Sequence, residues 1–442
     1  MHAIRAALLT FTGDPFVHGV EAVRRYESDA IVVIDGGRIA DAGAACEVLA
    51  RLPAGVEVTR YANALVTAGF VDCHVHYPQL PVIGAGGKPL LDWLAGYTFV
   101  AEQRFGEREY ARSVARTYLR ENLRNGITTA AVFCTVHAVS ADVLLEEARA
   151  LDLRIVAGKI MMDRNAPAAL LDTAQRSYDE CKALIARWHG NGRLGYAVTP
   201  RFAVTSTIEQ LDAAGTLKRE HPDVHVQSHV SENAAEIALV ASMYPESSSY
   251  LDVYARHGLT GPRTIYGHGV HLSEGDFAFL HESGTALAHC PTSNNFLGSG
   301  LFRLAAATRA DRPVRVGLAT DLGGGTSFSI LRTMQAAYEV AQLSGTPLAP
   351  SCALYLATRG AARALDLDDR IGSVAPGMEA DLVVLDLAST PIIAMRGAYA
   401  KDIDEMLSIQ MALGDDRAIR ATYVAGSLAW NRDAREHARP LR

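Results

Sequence analysis

The stretch VDCHVHYPQL, residues 71–80, places His74 and His76 two positions apart at the end of an apolar run. Side chains on a strand alternate faces, so residues i and i+2 point the same way. A strand here would present both imidazoles on one side. Two readings are open: a core that tolerates two polar rings, or two rings that hold something. The segments downstream bear on the choice, because the same kind of strand recurs.

Eight short apolar stretches can be read as strands: GFVDCHVH, TTAAVFCTV, RIVAGKIMM, RLGYAVTPRF, VHVQSHV, TIYGHGV, TALAHCP and VRVGLATD. Segments of helical period lie between them, such as REYARSVARTYLRENLRNG and TAQRSYDECKALIARWHGNG. Both end in Asn-Gly or Gly, a helix stop. Continuous apolar strands alternating with helices imply a parallel sheet covered on both faces. Eight such units over residues 66–372 match an α/β protein of the (β/α)8 TIM-type barrel class. A doubly wound open sheet is the structural alternative.

The two ends of the chain have a different texture. Residues 1–65 contain AIRAALLTF, DAIVVIDGGRIADAG and VEVTRYANALVTAG, and the Asp-Gly-Gly there is a hairpin signal. Residues 373–442 continue in the same way, with DLVVLDL and ATYVAGSLAWNR broken by Gly and Pro. Chain ends often meet at a surface. The expectation is one small β-sandwich domain built from both termini.

Composition narrows the function. Of 442 residues, 49% are hydrophobic and 21% charged, enough for a sizeable core. The net charge of −7 and the lack of a basic run argue against nucleic acid as a partner. No apolar run reaches the roughly 18 residues of a membrane helix, and the N-terminal run is too short for a signal peptide. The six cysteines, at 46, 73, 134, 181, 290 and 352, form no CxxC pair. Reduced, mostly buried thiols and a cytoplasmic location are expected.

In a (β/α)8 barrel the chemistry sits at the C-terminal ends of the strands. Strand one ends in His74 and His76, strand five in His229 with Glu232 close behind, strand six in His268, and strand eight in Asp321. Alone, each is more often a core or turn residue. Together, ending separate strands in order, they read as a metal site. Three imidazoles and one carboxylate suit a single Zn²⁺, with Fe²⁺ the alternative. Such an ion lowers the pKa of a water toward 7. Glu232 is placed as the acid, while His268 and Asp321 can take and hold the water's proton. HExxH, GxSxG, the P-loop pattern and the HxE…PCxxC signature are all missing. The glycines of GAGGKP and DLGGGTS read as loop turns at the barrel mouth.

In this order GFVDCHVHYPQ, TPRF, SHVSEN, GHGVHLS, HCPTSN and GLATDLGGGTSFS resemble the amidohydrolase superfamily, and more narrowly its guanine deaminases. LLDWLAGYTFVAEQRF and GKIMMDRNAP support the narrower resemblance, which runs through nearly the whole chain. It implies one metal, usually zinc, on His74, His76, His229 and Asp321. It implies that His268 is catalytic, that Glu232 shuttles protons, and that Gln79, Arg201 and Phe202 hold a purine against His229 and His268. The implied reaction is hydrolysis of guanine at C2 to xanthine and ammonia, with Glu232 protonating N3. The implied assembly is a homodimer. Two alternatives stay open: a deaminase of another aminated heterocycle (8-oxoguanine, a pterin or a triazine), and a non-catalytic scaffold on the same fold.

Smaller expectations complete the reading. Tyr77 stands where many relatives have a small residue. Residues 91–105 read as a loop over the site, with Trp93, Tyr97 and Phe99 covering the base or forming a dimer contact. Cys73 packs against a helix. Cys290 and Asn294 support the site without acting in it. His271 and His289 are additional histidines near the mouth, and no bridging lysine at a strand end supports a second metal.

Overall fold

Eight parallel strands ring the middle of the chain: Phe70–His76, Ile127–Phe133, Arg154–Gly158, Gly195–Pro200, His225–Val230, Thr264–His268, Ala286–His289 and Val316–Leu318. They are called barrel strands one to eight below. Every residue in them is buried except Gly195, as a sheet covered on both faces requires. The computed structural model from which this is read describes residues 1–434. Each strand pairs in parallel with the next, in chain order. The two-residue strand Ile160–Met161 adds a pairing to strand four.

The eight-strand sheet closes on itself just past strand eight. The Asp321 N–H donates to the carbonyl of His74 at 2.9 Å, and the Thr320 N–H donates to the Asp72 carboxylate at 2.9 Å. The Thr320 hydroxyl donates to the other oxygen of Asp72. The fold is therefore a nearly closed (β/α)8 barrel.

Helices pack the outside. Arg108–Arg124 buries Ala111, Ala115, Tyr118, Leu119, Asn122 and Leu123, one stripe at helical spacing. Ala174–Trp188 starts where the Thr173 hydroxyl accepts the Arg176 N–H. On strand one, Cys73 points away from the barrel interior to helix Arg359–Ala364, its Sγ 3.5 Å from the Ala361 carbonyl.

Strands from the two ends form one seven-stranded mixed sheet. Its order is Ser427–Asn431, Ile419–Val424, Leu382–Asp386, Val58–Ala68, His2–Phe11, Arg24–Asp35 and Arg38–Ala44. The pair Leu382–Asp386 and Val58–Ala68 joins the C-terminal strands to the N-terminal ones. Gly36 and Gly37 take positive φ between the last two strands, the hairpin expected there. Among the described residues, no helix is long and apolar enough to cross a membrane.

Candidate active site

Strand alternation puts His74 and His76 on the inner face of strand one, their ring centres 5.2 Å apart. His229 enters from strand five, its Nε2 3.0 Å from that of His76. Asp321 arrives from the end of strand eight, with Oδ1 3.5 Å from His74 Nε2 and 3.7 Å from His76 Nε2. His268, at the end of strand six, has Nε2 3.7 Å from Asp321 Oδ2 and 3.4 Å from Glu232 Oε2. All six side chains are buried. Ser231, His268 and Asp321 adopt left-handed backbone, at φ 48°, 70° and 44°. Such conformations cluster at functional sites, where the surrounding structure holds them.

The donor set is prepared for an ion. Burial keeps the pKa values of His74, His76 and His229 below the ordinary imidazole value, so these rings are neutral and have a lone pair to give. The Nδ1–H of His229 donates to the Arg201 carbonyl at 2.6 Å, which turns its bare Nε2 inward. His74 Nε2 is buried without a hydrogen-bond partner. Candidate ligand atoms of His74, His76 and Asp321 lie within 4.8 Å of one another, as do those of His74, His229 and His268. For Asp321, burial favours the neutral acid, but the His74 ring 3.5 Å away and the charge of His268 overcome it and hold the carboxyl down to about 2. A buried orphan nitrogen, a second bare nitrogen and an ionised carboxylate converging on one point fit a divalent ion of zinc type.

Beside this cluster Glu232 and His268 face each other. Burial pushes Glu232 up to about 7, although His268's charge opposes the rise. The Ser299 hydroxyl donates to Glu232 Oε1 at 3.1 Å. For His268, burial acts downward, but the charges of Glu232 and Asp321 prevail and raise its pKa. Asn294 Oδ1 accepts from His268 Nδ1 at 2.8 Å and fixes the ring. Asn294 thus supports the site, and Cys290 Sγ is engaged with the Ala288 carbonyl. His271 donates to the Ser299 carbonyl, while His289 stacks on Phe302 with both ring nitrogens unpartnered.

The mouth encloses about 380 Å³ of space, lined by His76, Gln79, Arg201, Phe202, His229, Glu232, His268 and Asp321. Of the residues expected to hold a metal, move protons or hold the base, all line this cavity except His74. Leu90, Trp93, Leu94, Leu297 and Gly324 complete the lining. The segment expected to be a loop is instead a run of helical turns from Leu90 to Gly106, with a π-helical turn at Leu94–Thr98. Trp93 and Phe99 are buried beneath it, and Tyr97 is half-buried under Lys88.

Four contributors were missed in the sequence. Asp72 ties strand one to Thr320, and Ser299 orients Glu232. Glu102, inside the covering segment, bonds Arg201. Gly267 leaves room for a ring: a Cβ there would lie 2.7 Å from His74. For Asp72 the signal was present, since it lies two positions before His74 and hence on the same strand face.

Comparisons with known proteins agree with this geometry. Residues 65–429 match the family described as the amidohydrolase family. The guanine deaminase of Escherichia coli (strain K12) is 46% identical over 414 residues, 94% of each chain. A solved structure named E. coli guanine deaminase superposes with a TM-score of 0.95 at 45% identity, covering 98% of this chain and 100% of that one. A guanine deaminase from C. acetobutylicum, solved with guanine bound in its active site, superposes at 0.86 and 28% identity, covering 97% and 100%. The chain belongs to the amidohydrolase family, and within it to the guanine deaminases.

Proposed function

We propose that this protein hydrolyses guanine to xanthine and ammonia. One observation carries the reading: a buried acid–base pair, Glu232 and His268, shares a single cavity with hydrogen-bonding groups suited to a purine edge. Among the described residues Arg201 bonds protein only through Nη1, which leaves Nε and Nη2 for a ring carbonyl. The Gln79 amide can both donate and accept on the same edge. Phe202 supplies an apolar ring beside the flat base. Leu90, Trp93 and Leu94 keep bulk water away from the reacting atoms.

His74, His76, His229 and Asp321 would hold one metal ion, which we assign as Zn²⁺. When bound, such an ion acts as a Lewis acid that brings a water's pKa near neutrality. The protein's own groups handle the protons. With a pKa of about 7, Glu232 can be protonated at neutral pH and deliver a proton to guanine N3, making C2 electrophilic. His268 and Asp321 hydrogen-bond the attacking water and align it with C2. Glu232 then takes a proton from that water and passes it to the amino group, which leaves as ammonia. As ammonia leaves, the C2 hydroxyl returns its remaining proton to the Glu232 carboxylate, and the new C2 carbonyl completes xanthine.

Ultraviolet monitoring of purified protein with guanine tests this, with and without a chelator. Conversion to xanthine that stops on chelation and returns with Zn²⁺ is expected. Turnover of a pterin or triazine but not of guanine would overturn the substrate assignment. Elemental analysis showing iron in place of zinc would overturn the metal assignment. The proposed assembly is a homodimer, checked by sedimentation equilibrium.

A further inference from the structure

Glu102 belongs to the cover, in the turn Phe99–Glu102, and comes from no barrel strand. Its carboxylate is fully buried and takes two hydrogen bonds from one nitrogen of Arg201, at 3.0 Å to Oε1 and 2.7 Å to Oε2. Phe99, three residues earlier, lies beside the same guanidinium, its ring centre 5.2 Å from Cζ. One helical turn thus grips Arg201 by charge and by ring face. Among the described residues nothing bonds Nε or Nη2.

Two physical consequences follow. An arginine side chain has several rotatable bonds, and fixing one end of its fork removes most of that freedom before a ligand arrives. The second concerns charge. A lone guanidinium in a water-poor cavity attracts anions strongly. Paired with a buried carboxylate, it offers N–H donors with no net charge, which suits a neutral ring carbonyl better than an anionic oxygen.

We propose that Glu102 is a positioning residue that fixes the Arg201 fork and cancels its charge, so that the site prefers neutral purines to anionic ones. This rests on reading the cavity as a guanine site. Guanine is neutral at pH 7, whereas its dioxo product is more acidic and the trioxo purine urate is an anion. A charge-neutral Arg201–Glu102 pair keeps such anions from occupying the site.

The test uses metal-loaded wild type, Glu102→Gln, Glu102→Ala and Glu102→Asp. Calorimetry gives dissociation constants for urate and for the neutral purine hypoxanthine, and steady-state assays give kcat and KM for guanine. Glu102→Gln, nearly isosteric, should tighten urate relative to hypoxanthine by at least about tenfold. Glu102→Ala should raise guanine KM by about tenfold or more with a smaller change in kcat, and Glu102→Asp should recover part of that loss. A urate-to-hypoxanthine ratio unchanged in Glu102→Gln overturns the proposal, even if the Ala variant does not fold. A wild-type KM in a folded Ala variant also overturns it. Wild type that never converts guanine would instead overturn the functional reading.

Discussion

The barrel holds buried arginine–carboxylate clusters at opposite ends, and they are satisfied to different degrees. At the N-terminal end of the strands, Arg154 and Arg193 meet Glu379 and Asp381, which lead into strand Leu382–Asp386. Arg154 gives Nε and Nη2 to Glu379 and Nη1 to the Arg193 carbonyl. Arg193 gives Nε to Glu379 at 2.9 Å, Nη1 to the Asp152 carbonyl at 2.8 Å and Nη2 to Asp381. No guanidinium nitrogen is left over. At the mouth, Arg201 spends only Nη1 on Glu102. A fully bonded ionic network specifies structure, whereas a half-bonded one in a cavity is available to a ligand. Substitutions at the two ends should therefore divide cleanly between stability and activity.

The largest effect is expected at the mouth. Glu232→Gln should lower kcat by more than about 10⁴-fold, beyond the range usual for one acid–base group, because Glu232 acts more than once. Its metal content should match wild type and its melting temperature should not fall, since burial already disfavours the Glu232 carboxylate. Near-normal turnover in a metal-loaded variant would break the assignment. The opposite end should give the mirror image. Glu379→Ala strands the buried Arg154 guanidinium, takes one of two carboxylate partners from the part-buried Arg193, and should cost about 3–5 kcal/mol of stability. Chemical denaturation measures that loss. The kcat/KM of the folded fraction should be unchanged, and a large drop would mean that the two ends are coupled.

The same contrast explains what could be read in the sequence. All eight barrel strands were legible because burial on both faces leaves continuous apolar runs, from VDCHVH to VGL. The residues that meet at the mouth were legible because each lies at or just past the end of such a run. Glu102 was not, since its meaning depends on Arg201, 99 positions away, and an isolated glutamate in a helical turn reads as solvent-facing. Arg154 and Glu379 are 225 positions apart and were equally silent. The cover was read as a loop, yet burial of Leu90, Trp93 and Phe99 holds it in helical turns.

Acid should expose the structural end next. His225, at the start of strand five, has Nε2 bonded to the Leu365 carbonyl and is pushed down to about 4 by burial. Its folded pKa lies below the unfolded 6.5, so between those values the unfolded chain binds more protons. Stability should therefore fall as pH drops from about 6.5 to 4, by about 3 kcal/mol from this group alone. Melting curves across that window should decline less steeply for His225→Gln than for wild type. Identical slopes would break the assignment.

The smallest effect compares one residue type at both ends. Gly323, at φ +118°, lies against Gln79 at the mouth, where a Cβ would sit 2.3 Å from that side chain. Gly190, at φ +73°, lies in the turn after helix Ala174–Trp188, with nothing within 4 Å of its Cβ position. Alanine strains the backbone at both positions, at about 1 kcal/mol or more each. Only at Gly323 must the neighbour also move, and that neighbour is an amide proposed to read the base. Gly323→Ala should raise guanine KM by about tenfold, and Gly190→Ala should leave KM alone while losing similar stability. Equal KM values in the two variants would mean that Gln79 does not report on the base. The purine edge would then rest on Arg201 and its partner from the cover.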